Sequence, residues 1–298
     1  MTASAGLADP ALFLAIDDLE LATRALVDSV LAGAHRSDRL GLGAEFAQHR
    51  DYQPGDDLRH INWRLFSRTR RLYVREFRAE TAMPVYVVVD ASASMRIGEP
   101  HTKYRYAARI AAALAYLALR GRDAVGLRIA QGGAIEALAA RATFAQFGDI
   151  LAKLDEQRPE GTGDLGAAMD ELMETCRRRG MIFILSDFAD DEAALLAGMS
   201  TLREMGHDIS AIQILAPAEE SLPAHGDFEF VDPESGRITR TAADAVRERY
   251  ARAVSAWRRR LSEGCENTGV RWTSVTTDAP METLVRDLML TAIERERV

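Results

Sequence analysis

The chain has 298 residues, and 47% of them are hydrophobic, which is enough to bury a sizeable core. Its net charge of −8 argues against a dedicated nucleic-acid binder. Cys176 and Cys265 are the only cysteines and have no metal-ligand or CxxC spacing, so they predict neither a disulfide framework nor a zinc site.

The location predicted from the sequence is the cytoplasm. The first ten residues lack the basic and apolar regions of a signal peptide. The longest apolar stretch, residues 110–119, is too short to span a membrane. Two isolated thiols fit a reducing compartment.

The first predicted element is an amphipathic helix. Its apolar residues recur at helical spacing from Leu12 to Val30, and Gly33 follows as a stop. Because one face of this helix is apolar, we expect it to dock on the main sheet.

An arginine-rich segment without periodicity follows, over residues 34–80, with one alternating strand at Leu72–Phe77. Pro54 and Gly55 predict a tight turn there. The segment also carries paired charges and a tryptophan: Asp56, Asp57, Arg59, Trp63 and Arg64. Bidentate ion pairs would make it a structural elbow with the tryptophan buried. The alternative is an arginine surface for a phosphate or an acidic partner.

The run Val85–Asp90 is β-branched and aromatic and ends in an acid. It predicts a central strand buried on both faces, whose end lies at the edge where open α/β folds bind ligands. Asp90, Ser92 and Ser94 offer hard oxygen ligands there, which suit Mg²⁺ or Mn²⁺ and not Zn²⁺. The alternative is a polar strand-to-helix turn in which Ser94 caps the helix.

Helices and strands alternate through the remainder of the chain. Helices are predicted over residues 102–120, 143–155, 164–179 and 190–205, then from Val246 to a stop at Gly264, and finally after Pro280. Strands are predicted around residues 125–129, 135–138, 181–187, 209–214, 228–231 and 270–275. This alternation predicts an α/β fold with a doubly wound, mostly parallel sheet flanked by helices.

Two further polar segments fall at the predicted carboxyl edge of this sheet. Asp187 ends a second buried strand, as Asp90 ends the first. Between them in the chain lies a glycine-flanked loop that contains Thr162 and Asp164. Three oxygen-rich loops at one edge are what a divalent ion requires.

The arrangement resembles the von Willebrand factor A fold and its metal-ion-dependent adhesion site (MIDAS). That resemblance implies that Ser92, Ser94 and Thr162 ligate the ion and that Asp90 and Asp187 contribute directly or through water. It also implies that an acidic side chain of a partner completes the coordination.

A narrower resemblance is carried by Glu45-Phe46, Arg50-Asp51-Tyr52, Pro54-Gly55-Asp56-Asp57-Leu58-Arg59, Ile61-Asn62-Trp63, Asp90 to Met95, Lys103 and Ser186-Asp187. These motifs are similar to those of the bacterial family called domain of unknown function 58. The resemblance implies an adaptor that works with a MoxR-type AAA+ ATPase, with no assigned enzymatic reaction.

One departure from that family lies in the second loop. The family usually reads Gly-x-Thr-Asp-Leu, and this chain has Gly163 at the threonine position, with Thr162 one residue early. One residue along the backbone is about 3.8 Å, more than an octahedral Mg²⁺ site tolerates. Thr162 therefore reaches the ion only if the glycines re-route the loop; otherwise Asp164 substitutes, or the ion binds weakly or not at all.

The resulting hypothesis is a non-enzymatic adaptor of two parts. Residues 1–80 would form a helix and arginine-rich segment packed on residues 81–298, a von Willebrand factor A-like domain with a C-terminal helix–strand–helix extension. We expect Mg²⁺ or Mn²⁺ as the ion and no nucleic-acid partner.

Two alternatives remain open. The first is a metal-dependent hydrolase or phosphotransferase that uses Asp90 at the same edge. Against it, Ser92 stands where a second aspartate would serve such chemistry, and no lysine is expected near enough to neutralise a phosphate. The second alternative is a scaffold that has lost its ion and uses the arginine segment 59–78 as its contact surface.

Overall fold

The structure is a computed structural model that describes residues 18–34, 46–51, 71, 73–77, 83–220 and 227–296. Its strands are β1 (Phe46–Asp51), β2 (Tyr73–Phe77), β3 (Val85–Asp90), β4 (Val125–Gln131), β5 (Ala134–Arg141), β6 (Met181–Ser186), β7 (Asp208–Leu215), β8 (Asp227–Val231), β9 (Ile238–Ala242) and β10 (Arg271–Thr276). Its α-helices are α1 (Leu19–Ala34), α2 (Lys103–Arg120), α3 (Ala145–Glu156), α4 (Leu165–Thr175), α5 (Glu192–Glu204), α6 (Pro217–Glu220), α7 (Ala243–Thr268) and α8 (Met281–Glu296).

A six-stranded sheet organises the fold, in the order β10-β7-β6-β3-β4-β5. All neighbouring strands are parallel except β5, which runs antiparallel beside β4. The prediction of an α/β fold with a mostly parallel sheet is confirmed. Two antiparallel pairs, β1 with β2 and β8 with β9, lie outside this sheet.

The central strand β3 is buried along its whole length because helices cover both faces of the sheet. Val87 belongs to the core cluster on the face of the sheet that α2, α3 and α8 cover. Val88, pointing the opposite way, packs with α4, α5 and α7 on the other face. An unbroken apolar run is therefore required at this position.

Helix α1 packs on a different surface from the one predicted. Its apolar residues pack mainly on α2 and α8, which already cover the sheet on that side. The expected direct docking on the sheet was wrong, because an alanine-rich α2 lies close to the strands and fills that layer.

Helix α7 also differs from the prediction, since it continues through Gly264 to Thr268. A Cβ atom at Gly264 would lie 2.5 Å from the side chain of Leu196 on α5, so this glycine permits close packing of two helices. The predicted stop at Gly264 was wrong; Gly269, with φ of +71°, follows the helix end instead.

Candidate functional site

The candidate site lies between β3 and β6, where the sheet changes direction of winding. The chain passes from β3 to β4 on one side and from β6 to β7 on the other. Such a switch point leaves a crevice at the carboxyl ends of the two central strands. Asp90 is the last residue of β3, and Asp187 directly follows β6.

A continuous chain of hydrogen bonds joins the two acids. Asp90 Oδ1 accepts from the Ser92 backbone N–H at 2.8 Å. The hydroxyls of Ser92 and Ser94 lie 2.9 Å apart, and Ser94 Oγ donates to Asp187 Oδ2 at 2.7 Å. All four residues are buried. The structure thus brings together the four candidate ligands of the two strand ends, and Ser94 bonds to Asp187 instead of capping a helix.

Ser186, the last residue of β6, was absent from the predicted set of ligands. Its hydroxyl donates to Asp90 Oδ2 at 2.6 Å and accepts from the Phe188 N–H at 2.8 Å. Phe188 has φ of +58°, which is uncommon for a residue with a side chain. Its buried ring packs on Trp272, with centroids 5.0 Å apart, and this contact holds the sharp turn after Asp187.

Two further charges belong to the site: Lys103, which is buried, and Glu219, whose side chain is 24% exposed. Lys103 Nζ donates to Asp187 Oδ2 and to Glu219 Oε1, each at 2.7 Å. The expectation that no lysine lies near the acids was wrong. The Lys103 side chain is only 1% exposed and bonds two carboxylates, so it offers little charge to an external phosphate.

The electrostatics of the site follow from burial and crowded charge. Burial and the neighbouring Asp187 raise the pKa of Asp90, against hydrogen bonds from Ser186 and Ser92 that favour its charged form. Burial alone would lower the pKa of Lys103, but the carboxylates of Asp187 and Glu219 outweigh it and raise that pKa. The ammonium of Lys103 is therefore shared by the carboxylates of Asp187 and Glu219.

The loop before α4 closes one side of the site through its backbone. The Ala93 N–H donates to Gly161 O at 2.9 Å, and the Glu160 N–H donates to Ala91 O at 3.0 Å. A Cβ atom at Gly163 would lie 3.3 Å from Asp90 Oδ1 and from Ser92 Cβ. Gly163 is therefore the loop residue that lies against the acid.

Thr162 and Asp164 occupy other positions. Thr162 is exposed, and its carbonyl accepts from the Gly132 N–H at 2.9 Å. Asp164 caps α4, accepting from the Ala167 N–H at 2.8 Å. The structure therefore shows a helix-capping role for Asp164. The candidate partner segment with Asp56, Asp57, Arg59, Trp63 and Arg64 lies outside the described residues.

The sequence that forms this site matches a known protein family. A family model described as "Protein of unknown function DUF58" matches residues 48–260. The chain belongs to this family. Uncharacterized proteins of Mycobacterium tuberculosis and Mycobacterium bovis are each 35% identical over 277 residues, which cover 91% of this chain and 86% of each relative.

Solved structures are similar to this DUF58 chain in fold. The conserved hypothetical protein BatB from Bacteroides thetaiotaomicron matches with a TM-score of 0.50 and 15% identity, over 72% of this chain and 98% of that chain. The SpRpn10 VWA domain matches with a TM-score of 0.40 and 13% identity, over 68% and 94%. The predicted membership of the DUF58 family is confirmed.

The donor atoms of this DUF58 chain fit a hard divalent cation better than a soft one. They are carboxylate and hydroxyl oxygens of Asp90, Ser92, Ser94 and Asp187, which suit Mg²⁺ or Mn²⁺. Among the described residues there is no cluster of three or more His, Cys, Asp or Glu side chains arranged to hold a metal. An ion here would therefore depend on serine oxygens and water as well as on the two acids.

None of the described helices combines the length and the apolar composition needed to cross a bilayer.

Proposed function

We propose that this protein is a non-enzymatic interaction protein that binds a divalent cation at the β3–β6 edge and, through it, an acidic side chain of a partner. Its von Willebrand factor A-like fold suggests a protein-interaction role. The observation that carries the proposal is the buried oxygen chain from Asp90 through Ser92 and Ser94 to Asp187.

The charge balance favours a cation at this position. Asp90 and Asp187 are buried carboxylates and Glu219 is a partly exposed third one, whereas Lys103 supplies one positive charge. Bringing carboxylates together out of water is unfavourable unless positive charge compensates them. Serine hydroxyls rotate freely, so Ser92 and Ser94 can turn their lone pairs from each other to an ion.

The proposed partner is a MoxR-type AAA+ ATPase, and the proposed location is the cytoplasm. The proposed ATPase rests on the resemblance described in the sequence analysis, and the family model supports membership of the DUF58 family. Cys176 and Cys265 are both buried free thiols, which fits a reducing compartment.

A pull-down with the cognate MoxR-type ATPase tests the cation and the partner together. We expect Mn²⁺ to support capture, and EDTA or Asp90→Ala to abolish it. Ser92→Ala should weaken capture, whereas Ser262→Ala on α7 should not, since Ser262 bonds only within its own helix. Unchanged capture with both EDTA and Asp90→Ala would remove the cation from the mechanism.

The absence of catalysis is tested separately with generic phosphatase and esterase substrates in Mg²⁺ or Mn²⁺. We expect no turnover above that of the Asp90→Asn variant. Turnover that Asp90→Asn abolishes would contradict the proposal and favour a hydrolase or phosphotransferase at the same edge.

A further inference from the structure

The amino edge of the six-stranded sheet lies opposite the candidate cation site. The Val85 N–H donates to Ala124 O at 2.8 Å, and the Met181 N–H donates to Pro84 O at 2.9 Å. These bonds place the segments that enter β4, β3 and β6 side by side, so the first and the last of them are roughly 10 Å apart. The six residues of β3 separate this edge from the cation site by about 20 Å.

Arginines are concentrated at this edge, although the chain as a whole has a net charge of −8. Residues 120–124, residues 174–180 and Arg141, which ends β5 beside the start of β4, contain six arginines and only two acids, Asp123 and Glu174. Among the described residues, the side chains of five of these arginines form no hydrogen bond or ion pair, and all five are exposed: Arg120, Arg122, Arg141, Arg177 and Arg178.

The missing partners do not reflect a shortage of acids. The chain has 45 acidic residues against 37 lysines and arginines. Exposed arginines elsewhere do pair, as Arg24 does with Glu20 and Arg240 with Glu229. The amino edge therefore presents uncompensated positive charge, which attracts a negatively charged surface.

An exposed aromatic ring lies among these arginines. Phe144 is 55% exposed, and its ring centroid is 5.7 Å from that of Tyr116 and 6.0 Å from that of Phe147, so the ring is supported from below. Arg120 follows Tyr116 by one turn of α2, and Arg141 precedes Phe144 by three residues, so both arginines flank the ring. Aromatic residues and arginine are the residue types enriched at protein interfaces.

We propose that this amino-edge surface binds an acidic segment of a protein partner that also carries an apolar side chain. Its residues are Arg120, Arg122, Arg141, Phe144, Arg177 and Arg178. The arginines bind carboxylates through their planar forks, and the Phe144 ring packs on the apolar side chain. This contact needs no cation, so it is a second interaction surface in addition to the one proposed above.

Net charge favours a short acidic protein segment over other polyanions. A nucleic acid or an anionic membrane extends well beyond the arginines and would meet the negatively charged remainder of the chain, which repels it. A short segment interacts only with the nearby arginines, because salt screens charges that are more than about 8–10 Å away.

Fluorescence anisotropy with the full chain tests the proposal. The probe is a labelled peptide of glutamate and leucine residues, and its uncharged counterpart has glutamine in place of glutamate. The variant is Arg122→Gln/Arg178→Gln. The matched control is Arg249→Gln/Arg252→Gln on α7, because these two arginines are also exposed and have no acidic partner among the described residues.

We expect Arg122→Gln/Arg178→Gln to weaken binding of the glutamate peptide about tenfold at low salt, because two ion pairs are lost, and the control to leave it unchanged. Phe144→Ser should weaken it by a similar factor, whereas Val231→Ser should not, although Val231 is also 55% exposed. EDTA should have no effect on this affinity, which separates the amino-edge surface from the proposed cation site.

Several results would overturn the proposal. Equal affinities of the two double variants, or equal binding of the glutamine peptide, would remove the arginines from the contact. Arginine-dependent binding that is tighter to phosphatidylglycerol vesicles or to single-stranded DNA than to the peptide would replace the protein partner by a membrane or a nucleic acid. Self-association in sedimentation that Arg122→Gln/Arg178→Gln abolishes would assign the surface to a second copy of the chain instead.

Discussion

Replacement of Lys103 by methionine tests whether the ammonium holds the buried acids together. Lys103 Nζ lies 2.7 Å from Asp187 and from Glu219, and its side chain is 1% exposed. Methionine retains an unbranched apolar side chain, so packing changes little. The acids, however, lose their positive partner. Removing one member of a buried ion pair costs about 3–5 kcal/mol, so we expect a loss of that order.

Thermal unfolding without divalent ions measures this loss. In a domain of roughly 200 residues, each kcal/mol lowers Tm by about 2–4 °C, so Lys103→Met should unfold about 10 °C below the wild type. The chain offers its own control in Lys153, its only other lysine, which is partly exposed and pairs with Glu136 and Glu156.

Lys153→Met should leave Tm nearly unchanged, because solvent screens exposed ion pairs. Adding Mg²⁺ or Mn²⁺ should raise the Tm of Lys103→Met more than that of the wild type, since the variant has more uncompensated charge. Equal Tm values for the two lysine variants would refute the assigned role of Lys103.

Three further predictions concern residues around the acids. The folded-state pKa of Asp90 is raised, so its charge costs stability at neutral pH; metal-free Asp90→Asn should be more stable than the wild type at pH 8, and urea unfolding should show this difference shrinking as the pH falls. Gly163→Thr should bind Mn²⁺ roughly tenfold more tightly than the isosteric Gly163→Val, because its hydroxyl would lie beside Asp90; equal affinities in calorimetry would contradict this. Asp164→Ala should lose about 1 kcal/mol in chemical unfolding by removing the cap of α4, with Mn²⁺ affinity unchanged.

The strand-end residues of the site could be predicted from the sequence because the ends of buried parallel strands can be recognised from their apolar runs. Asp90 and Asp187 each follow an apolar run that must be buried, and carboxyl ends of adjacent parallel strands meet at one edge. Ser92 and Ser94 came with Asp90 because they lie within four residues of it. None of these four positions depends on how the helices pack against the sheet.

Lys103 and Glu219 could not be assigned in the same way. Their contact joins residues 116 apart in the chain, and it depends on how α2 is rotated against the sheet and on the short helix α6. The available signals were the place of Lys103 among the motifs that resemble the DUF58 family and its position at the start of an alanine-rich helix.

The hydrogen bond from Ser186 to Asp90 spans 96 residues of chain. At about 5–20 residues per second, a ribosome needs roughly 5–20 s to deliver the second residue after the first has emerged. Throughout that interval the Asp90 turn exists without its counterpart strand, so the nascent polypeptide lacks the hydrogen bonds that join Asp90 and Ser94 to Ser186 and Asp187. The candidate site is therefore complete only after translation has passed both halves of the sheet.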